Sequence, residues 1–370
     1  MNKIIYLDAA ASALKPQSVV DSELLFVRDS YANAGRGVCA RAAAVDDMVT
    51  HARQRVAKFI NANPAQVIFT SGATDGLNRI ANIITGQPEY CGVTVAVSDL
   101  DHHSARLPWA VLLRRGMINE MHVCELDENF DIKINSVPRC DVLVITAMSN
   151  VFGRAQDVAS IVAAARTKNP NVVTIVDASQ YVVHDKIDVK KWDCDFMVFS
   201  GHKIGTNTGL GILYIRDCDK YFPDKFGGGM VMSVNESDFV LNTSPEKWES
   251  GTLPLTQIAG IVPAIDYLEQ NRPNLELIKY MYDELANIPR IKILTHRDDA
   301  ILSFVVDDMH PLDVGVLLGA NNICVRVGNM CASWILRAMG GDGCVRISIG
   351  AWNTMDDAMT TINTIKRIIK

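Results

Sequence analysis

The sequence predicts an α/β fold, a large and mostly parallel sheet covered by helices with a smaller α+β body after it. Three observations carry this. Short apolar runs rich in Val and Ile alternate with longer segments of helical periodicity, the pattern of strands joined by crossover helices. The chain has 370 residues with an ordinary globular composition, 48% hydrophobic and 21% charged, enough for two or three domains. Its character also changes after about residue 260, where helical stretches lead into a few short strands.

Strands are predicted in order at 66–69, 93–97, 142–145, 172–176, 196–199 and 211–215, with helices between them at 45–60, 76–84 and 158–167. Beyond residue 260, helices are expected at 261–270 and 275–286, strands near 301–306 and 346–349, and a closing helix at 355–369. The expected division is a large domain over 16–260 and a small one over 261–370. No internal repeat or linker of low complexity interrupts the chain.

A net charge of -6 and a pI near 5.8 argue against a nucleic-acid-binding surface, and no Lys/Arg run offsets them. No apolar stretch reaches the length of a membrane span. The opening residues reach Asp8 too soon for a secretory segment, so the cytoplasm is the expected location. Nine cysteines are dispersed without a CxxC pair or metal-like spacing and read as reduced thiols, mostly small buried hydrophobes such as Cys194 and Cys218. No metal site is expected.

Three segments carry candidate chemistry. In Phe199-Ser200-Gly201-His202-Lys203 an apolar strand ends on a lysine. Partly desolvated at the mouth of a sheet, such an amine loses basicity and can condense with an aldehyde. In Ile175-Val176-Asp177-Ala178-Ser179-Gln180 a strand delivers a carboxylate at the end where open α/β sheets bind ligands. Asp177 could keep a pyridinium nitrogen protonated, with Gln180 reaching a phenolic oxygen, or it could simply cap a helix. Phe69-Thr70-Ser71-Gly72-Ala73-Thr74-Asp75-Gly76 reads as strand, turn and helix start, where free N–H groups and hydroxyls suit a phosphate ester.

Together these segments resemble a known family. The chain is similar to fold-type I pyridoxal-phosphate (PLP) enzymes of the class V aminotransferase group, and within it to the group II cysteine desulfurases and selenocysteine lyases. The similar segments run in family order along nearly the whole chain. They are Tyr6-Leu7-Asp8 with Ala10-Ala11-Ser12, Asn33 with Arg36-Gly37, Asp101-His102-His103, Ser149-Asn150-Val151-Phe152-Gly153, Gly227-Gly228-Gly229-Met230, Glu249-Ser250-Gly251-Thr252, Arg326-Val327-Gly328-Asn329-Met330-Cys331 and Arg346-Ile347-Ser348, besides the three above.

The resemblance implies a seven-stranded-type sheet in the large domain, and an N-terminal segment, residues 1–15, lying near the active site and the small domain. It implies PLP held by Lys203 as an internal aldimine, with Lys203 later moving protons at the substrate. His102 would stack on the cofactor ring and shuttle a proton, and Asp177 would pair with the pyridinium. Gln180 and Asn150 would face the cofactor O3′ and the substrate. Ala73, Thr74, Ser200 and His202 would hold the phosphate, with Thr252 reaching in from the second subunit of a homodimer. Arg346 would clamp the substrate carboxylate, as a bidentate guanidinium can, and Arg326 would stand beside substrate and thiol.

Cys331 points to the reaction. In the desulfurases a cysteine at this position attacks the sulfur of bound L-cysteine and leaves L-alanine and an enzyme persulfide; the thiolate is its reactive form. The persulfide would pass to an acceptor protein or thiol, as in iron–sulfur cluster assembly. Alternatives are L-selenocysteine as substrate, another class V reaction such as transamination or epimerisation, or a non-catalytic scaffold. The sequence also departs from the family pattern. Asn329 and Met330 stand where two histidines usually precede the cysteine, Cys39 and Ala147 replace two further histidines, Gly205-Thr206-Asn207 replaces Tyr-Gly-Pro, and Ala9 replaces Asn.

Overall fold

Strands with Val, Ile or Phe at nearly every position have two apolar faces, so both must be covered. That is their setting in the computed structural model, which describes residues 3–35 and 37–369. Arg36, one of the family-like positions, lies outside the described residues. The central sheet has seven strands, ordered Val67–Thr70, Gly211–Ile215, Phe196–Ser200, Val173–Asp177, Val142–Thr146, Thr94–Ser98 and Glu120–Cys124. Only Gly211–Ile215 runs antiparallel to its neighbours. Alternate residues of the strands feed two apolar clusters, one on each face. Helices Ala73–Thr85 and His103–Arg114 cover one face, and helices Ala40–Ile60, Val158–Lys168 and Leu255–Gln270 the other.

Each sequence-predicted strand of this sheet is present within one residue of its expected start. Glu120–Cys124 was not expected, because this edge strand alternates Glu120 and His122 with Met121 and Val123 and is only partly covered. The helix expected from residue 45 starts at Ala40, since the run Ala42-Ala43-Ala44 has helix propensity but no amphipathic period. The helix expected from 261 starts at Leu255. Gly260 and Pro263 sit inside it and hide its first turns from a sequence reading. This helix packs on helices Gln17–Leu25 and Ala40–Ile60, so a boundary after residue 260 falls within an element of the large body. We therefore propose the division after Gln270.

The second body is a four-stranded antiparallel sheet, ordered Ile291–Ile293, Leu302–Val306, Cys344–Ile347 and Arg326–Gly328. Helices Glu276–Ala286, Pro311–Gly319 and Met355–Ile368 complete its core. The N-terminal strand Ile5–Tyr6 pairs in parallel with Ile323–Cys324, and Ile5 and Leu7 join the same cluster. The next residues, Ala10 and Ala11, are thereby carried to the edge of the central sheet. Among the described residues no helix is long and apolar enough to cross a membrane, and no group of His, Cys, Asp or Glu is arranged to hold a metal ion.

Candidate active site

Parallel strands bring their C-terminal ends to one edge of a sheet, and here those ends are Ser98, Thr146, Asp177 and Ser200, beside the antiparallel-paired Thr70. The turns that follow enclose a cavity of about 340 Å³. It is lined by every candidate residue of the sequence reading except Thr252: Ala73, Thr74, His102, Asn150, Asp177, Gln180, Ser200, His202, Lys203, Arg326, Cys331 and Arg346. Thr252 is exposed and does not line this cavity from within the same chain.

Lys203 closes a single 3₁₀ turn after strand Phe196–Ser200, and its Nζ rests on the carbonyl of Ala10. Burial lowers its pKa from 10.5 to about 8. The Arg346 charge pushes the same way, with Asp177 and Asp8 opposing. About a tenth of this amine is therefore neutral at pH 7, far more than for an ordinary lysine. Gln180 Nε2 donates to the same Ala10 oxygen at 2.8 Å.

Asp177 is buried at the last position of its strand, and Oδ1 accepts the Ser179 N–H at 2.9 Å and the Ser179 hydroxyl at 2.5 Å. The helix-cap alternative does not hold. The following helix, Tyr181–His184, has Gln180 at its N-cap and no side-chain cap bond.

On the phosphate-suited side, the Ala73 N–H donates to Ser200 Oγ at 2.8 Å, joining the first turn of helix Ala73–Thr85 to the next strand end. This closeness requires glycine at 211. A Cβ there would lie 2.4 Å from Gly72 Cα, so Gly211 lets the turn seat on the sheet. Thr74 and His202 complete the wall. Burial, and then the Lys203 charge, drop the His202 pKa to about 4, so its ring is neutral.

His102 caps helix His103–Arg114, its Nδ1 accepting the Ser104 N–H at 3.1 Å. The proton of the neutral ring therefore sits on Nε2. Burial holds its pKa below the ordinary imidazole value. Ser104 Oγ lies 3.0 Å from the same Nδ1 and 2.7 Å from Thr74 Oγ1, a short hydroxyl chain from the phosphate-side turn to the imidazole.

The opposite wall is cationic. Arg346, almost wholly buried, donates from Nη1 to the Asn150 carbonyl at 2.9 Å and from Nη2 to Asp8 Oδ1 at 3.1 Å. Half-exposed Arg326 pairs with the other oxygen of Asp8 at 2.6 Å. Arg346 Nε and Asn150 Oδ1 are buried without a partner. Unpaired buried polar atoms in a cavity wall are what a polar ligand would satisfy.

Cys331 is exposed and is the only one of the nine unpaired cysteines to line this cavity. Cys124, Cys140, Cys194, Cys218 and Cys344 are buried, and burial raises each thiol pKa, as expected of inert core cysteines. Cys331 sits with Met330 at the centre of a tight turn closed by Ala332 N–H donating to the Asn329 carbonyl at 2.9 Å. Both residues have left-handed φ, +54° and +53°. Asn329 Oδ1 accepts the Cys331 N–H at 3.1 Å, and Asn150 Nδ2 donates to the Met330 carbonyl at 2.7 Å. The departure at 329 thus helps build the turn that presents the thiol, whereas Met330 joins it through its backbone carbonyl and buries its side chain. Gly205 also has a local reason, a φ of +107° and a Cβ direction that would meet Pro16 Cδ at 2.8 Å.

Sequence reading missed Asp8, which joins the two arginines, and Ser104, which lines the cavity. Asp8 stood in a segment already singled out, but nothing along the chain shows that it meets two arginines from the small body.

The family model for aminotransferase class-V matches residues 5–360. A cysteine desulfurase of Serratia proteamaculans is 32% identical, the match covering 99% of this chain and 94% of the relative. One of Escherichia coli O8 is 31% identical over 99% of this chain and 93% of its own length. Among solved structures, the apo cysteine desulfurase of Thermococcus onnurineus superposes with a TM-score of 0.94 at 27% identity, covering all of this chain and 95% of that one. An Escherichia coli cysteine desulfurase in S-sulfonic acid form gives 0.89 at 28% identity, with 98% and 94% coverage.

Proposed function

The chain belongs to the class V aminotransferase family, and from that premise we propose that it is a PLP-dependent cysteine desulfurase, turning L-cysteine into L-alanine with a persulfide on Cys331. The observation that carries this reading is one cavity lined by a weakly basic lysine, a buried guanidinium and an accessible thiol.

The residues present fit the cofactor. Lys203 would hold its aldehyde, Asp177 its ring nitrogen, and Ala73, Thr74, Ser200 and His202 its phosphate, with His102 over the ring and Asn150 and Gln180 toward O3′. The unpartnered Asn150 Oδ1 faces no donor of the protein. When bound, PLP supplies an electron sink for the substrate Cα.

The protein's own groups do the rest. Arg346, oriented by Asp8 and the Asn150 carbonyl, takes the substrate carboxylate, with Arg326 at the outer side. Lys203, with a neutral fraction near pH 7, moves protons at Cα and Cβ. His102 presents Nε2–H to the cavity. The Cys331 thiolate bonds to the substrate sulfur as the Cβ–S bond breaks, so one L-cysteine and one enzyme thiol become one L-alanine and one enzyme persulfide.

We further propose a homodimer in which Thr252 of each chain completes the partner's phosphate site. An exposed apolar hairpin supports this: it follows Gly228, whose carbonyl accepts the Gly251 N–H at 2.8 Å, and leaves Met232, Val234, Phe239 and Val240 uncovered beside Phe222 and Phe226. The nine unpaired cysteines suit a reducing, cytoplasmic setting, where an acceptor protein or thiol takes the sulfur.

The deciding assay is alanine and sulfide release from L-cysteine with a reductant, in wild type and Cys331→Ala. The variant should lose sulfide release and keep the bound-cofactor absorbance. Retained sulfide release in the variant would overturn the role of Cys331. Selenide from L-selenocysteine without sulfide from L-cysteine would move the substrate to selenocysteine.

A further inference from the structure

We propose that His103 is a positioning residue that clasps the Cys331 turn, through its backbone N–H and through its ring. The inference deepens the reading of Cys331 as the sulfur-accepting nucleophile, and its catalytic consequence rests on that reading.

The turn needs an external hold. Met330 and Cys331 occupy two successive left-handed positions without being glycine, a conformation L-residues keep only where surrounding contacts impose it. One hold is the Asn150 amide on the Met330 carbonyl. The other is His103. As the first residue of helix His103–Arg114, its N–H has no acceptor within the helix, and it donates to the Cys331 carbonyl at 2.7 Å. Its ring Nε2 accepts the Ser333 N–H at 3.3 Å, just past the turn. The two bonds hold the chain on either side of Ala332, directly after the thiol residue, while the Asn150 amide holds it directly before.

The ring is itself held. The Trp334 indole meets it edge-on, with centroids 5.0 Å apart. Arg106, three residues along the same helix face, lies 4.4 Å from the centre of the Trp334 ring and is anchored to Asp99 at 2.7 Å. His103 and Arg106 therefore grip one indole, and that indole leads the helix Ser333–Ala338 away from the turn.

An imidazole that accepts at Nε2 must be neutral there, so its proton sits on Nδ1. Protonation turns the acceptor into a donor facing the Ser333 N–H and opens the ring half of the clasp, leaving the backbone bond to Cys331 in place. Among the described residues, the charged and titratable groups near the ring are His102, with ring centroids 6.3 Å apart, and Arg106 across the indole; Cys331 meets His103 through its backbone carbonyl. Burial keeps the His103 pKa below its ordinary 6.5. The ring bond is closed at neutral pH and opens on acidification below the usual histidine range.

The test is amide exchange at Ser333, read by peptide mass spectrometry, alongside kinetics with L-cysteine. His103→Phe keeps the ring against Trp334 and removes the acceptor; His103→Gln restores an acceptor near the Nε2 position. At pH 7 His103→Phe should exchange Ser333 about fivefold to tenfold faster, the equivalent of one hydrogen bond. It should lower kcat more than it raises KM, and His103→Gln should recover most of both. Wild-type protection, corrected for intrinsic exchange, should fall between pH 7 and pH 4.5 while that of His103→Phe stays flat. Wild-type protection unchanged by acid, or equal in His103→Phe at pH 7, overturns the clasp. If L-cysteine gives no alanine yet the exchange results hold, the clasp stands and the desulfurase reading fails.

Discussion

Asp8 lies against Arg346 on the inner wall of the cavity, Oδ1 to Nη2 3.1 Å, and its second oxygen holds Arg326 at 2.6 Å. One carboxylate from the N-terminal segment thus joins two guanidiniums of the small body. Its negative charge offsets one of the two positive charges that would otherwise stand beside Lys203, and its geometry aims Arg346.

Removing that carboxylate should be felt in both stability and binding. Asp8→Ala leaves the nearly buried Arg346 without its ionic partner, a loss of about 3 kcal/mol in unfolding free energy. With Arg346 no longer aimed, KM for L-cysteine should rise about tenfold, the scale of one charged hydrogen bond, with a smaller fall in kcat. Denaturant unfolding and steady-state kinetics check the two parts separately. An unchanged KM would show that Asp8 has no part in orienting the clamp.

Lys203 should cost the cofactor-free protein stability at neutral pH. Its folded pKa, about 8, lies below the unfolded 10.5, so the unfolded chain binds more protons between those values and stability climbs as pH rises through them. Below pH 8 both states carry the charge and the folded one bears the desolvation. Lys203→Met should therefore stabilise the cofactor-free protein by about 3 kcal/mol at pH 7, falling under about 1 kcal/mol at pH 10. Urea unfolding at the two pH values measures it. A variant advantage that grows with pH would contradict the sign.

These two residues show what sequence could and could not reveal. Lys203 was legible because its strand, turn and neighbours are contiguous, and the same holds for Asp177 and the Gly72–Thr74 turn. Strand runs were legible because two buried faces demand apolar residues throughout. Asp8 was legible only as part of a motif, since its partners lie more than three hundred residues away in sequence and meet it through the pairing of Ile5–Tyr6 with Ile323–Cys324. The clasp on Cys331 was not legible at all, because it depends on a helix N–H, a ring tautomer and an indole brought together by tertiary packing.

The turn at Cys331 should store measurable strain. A left-handed φ disfavours any Cβ by roughly 1–2 kcal/mol, and glycine escapes it. Cys331 is exposed, so losing its side chain removes little burial. Cys331→Gly should thus be more stable than Cys331→Ala by about 1 kcal/mol after the extra backbone entropy of glycine is counted. Both variants should be without desulfurase activity. Chemical denaturation of the pair decides it; an alanine variant as stable as the glycine one would mean the turn relaxes at no cost.

Ser104 offers a separate test of His102. Its N–H and its hydroxyl both meet Nδ1, at 3.1 and 3.0 Å, and the hydroxyl also meets Thr74 at 2.7 Å. In Ser104→Ala the backbone N–H still donates, so the neutral ring should keep its proton on Nε2. The hydroxyl, however, favours the neutral form only when it donates to Nδ1, and that contribution is lost. Burial remains the largest cause of the lowered pKa, so the His102 value should rise part of the way toward 6.5 without reaching it. If catalysis uses the neutral ring, its loss then begins at a higher pH, and the acid limb of the pH–rate profile should move toward neutrality. Histidine nitrogen chemical shifts followed through a pH titration report both tautomer and pKa. A ring that titrates as in wild type would remove Ser104 from the chain, and a proton found on Nδ1 would show that the backbone N–H does not set the tautomer.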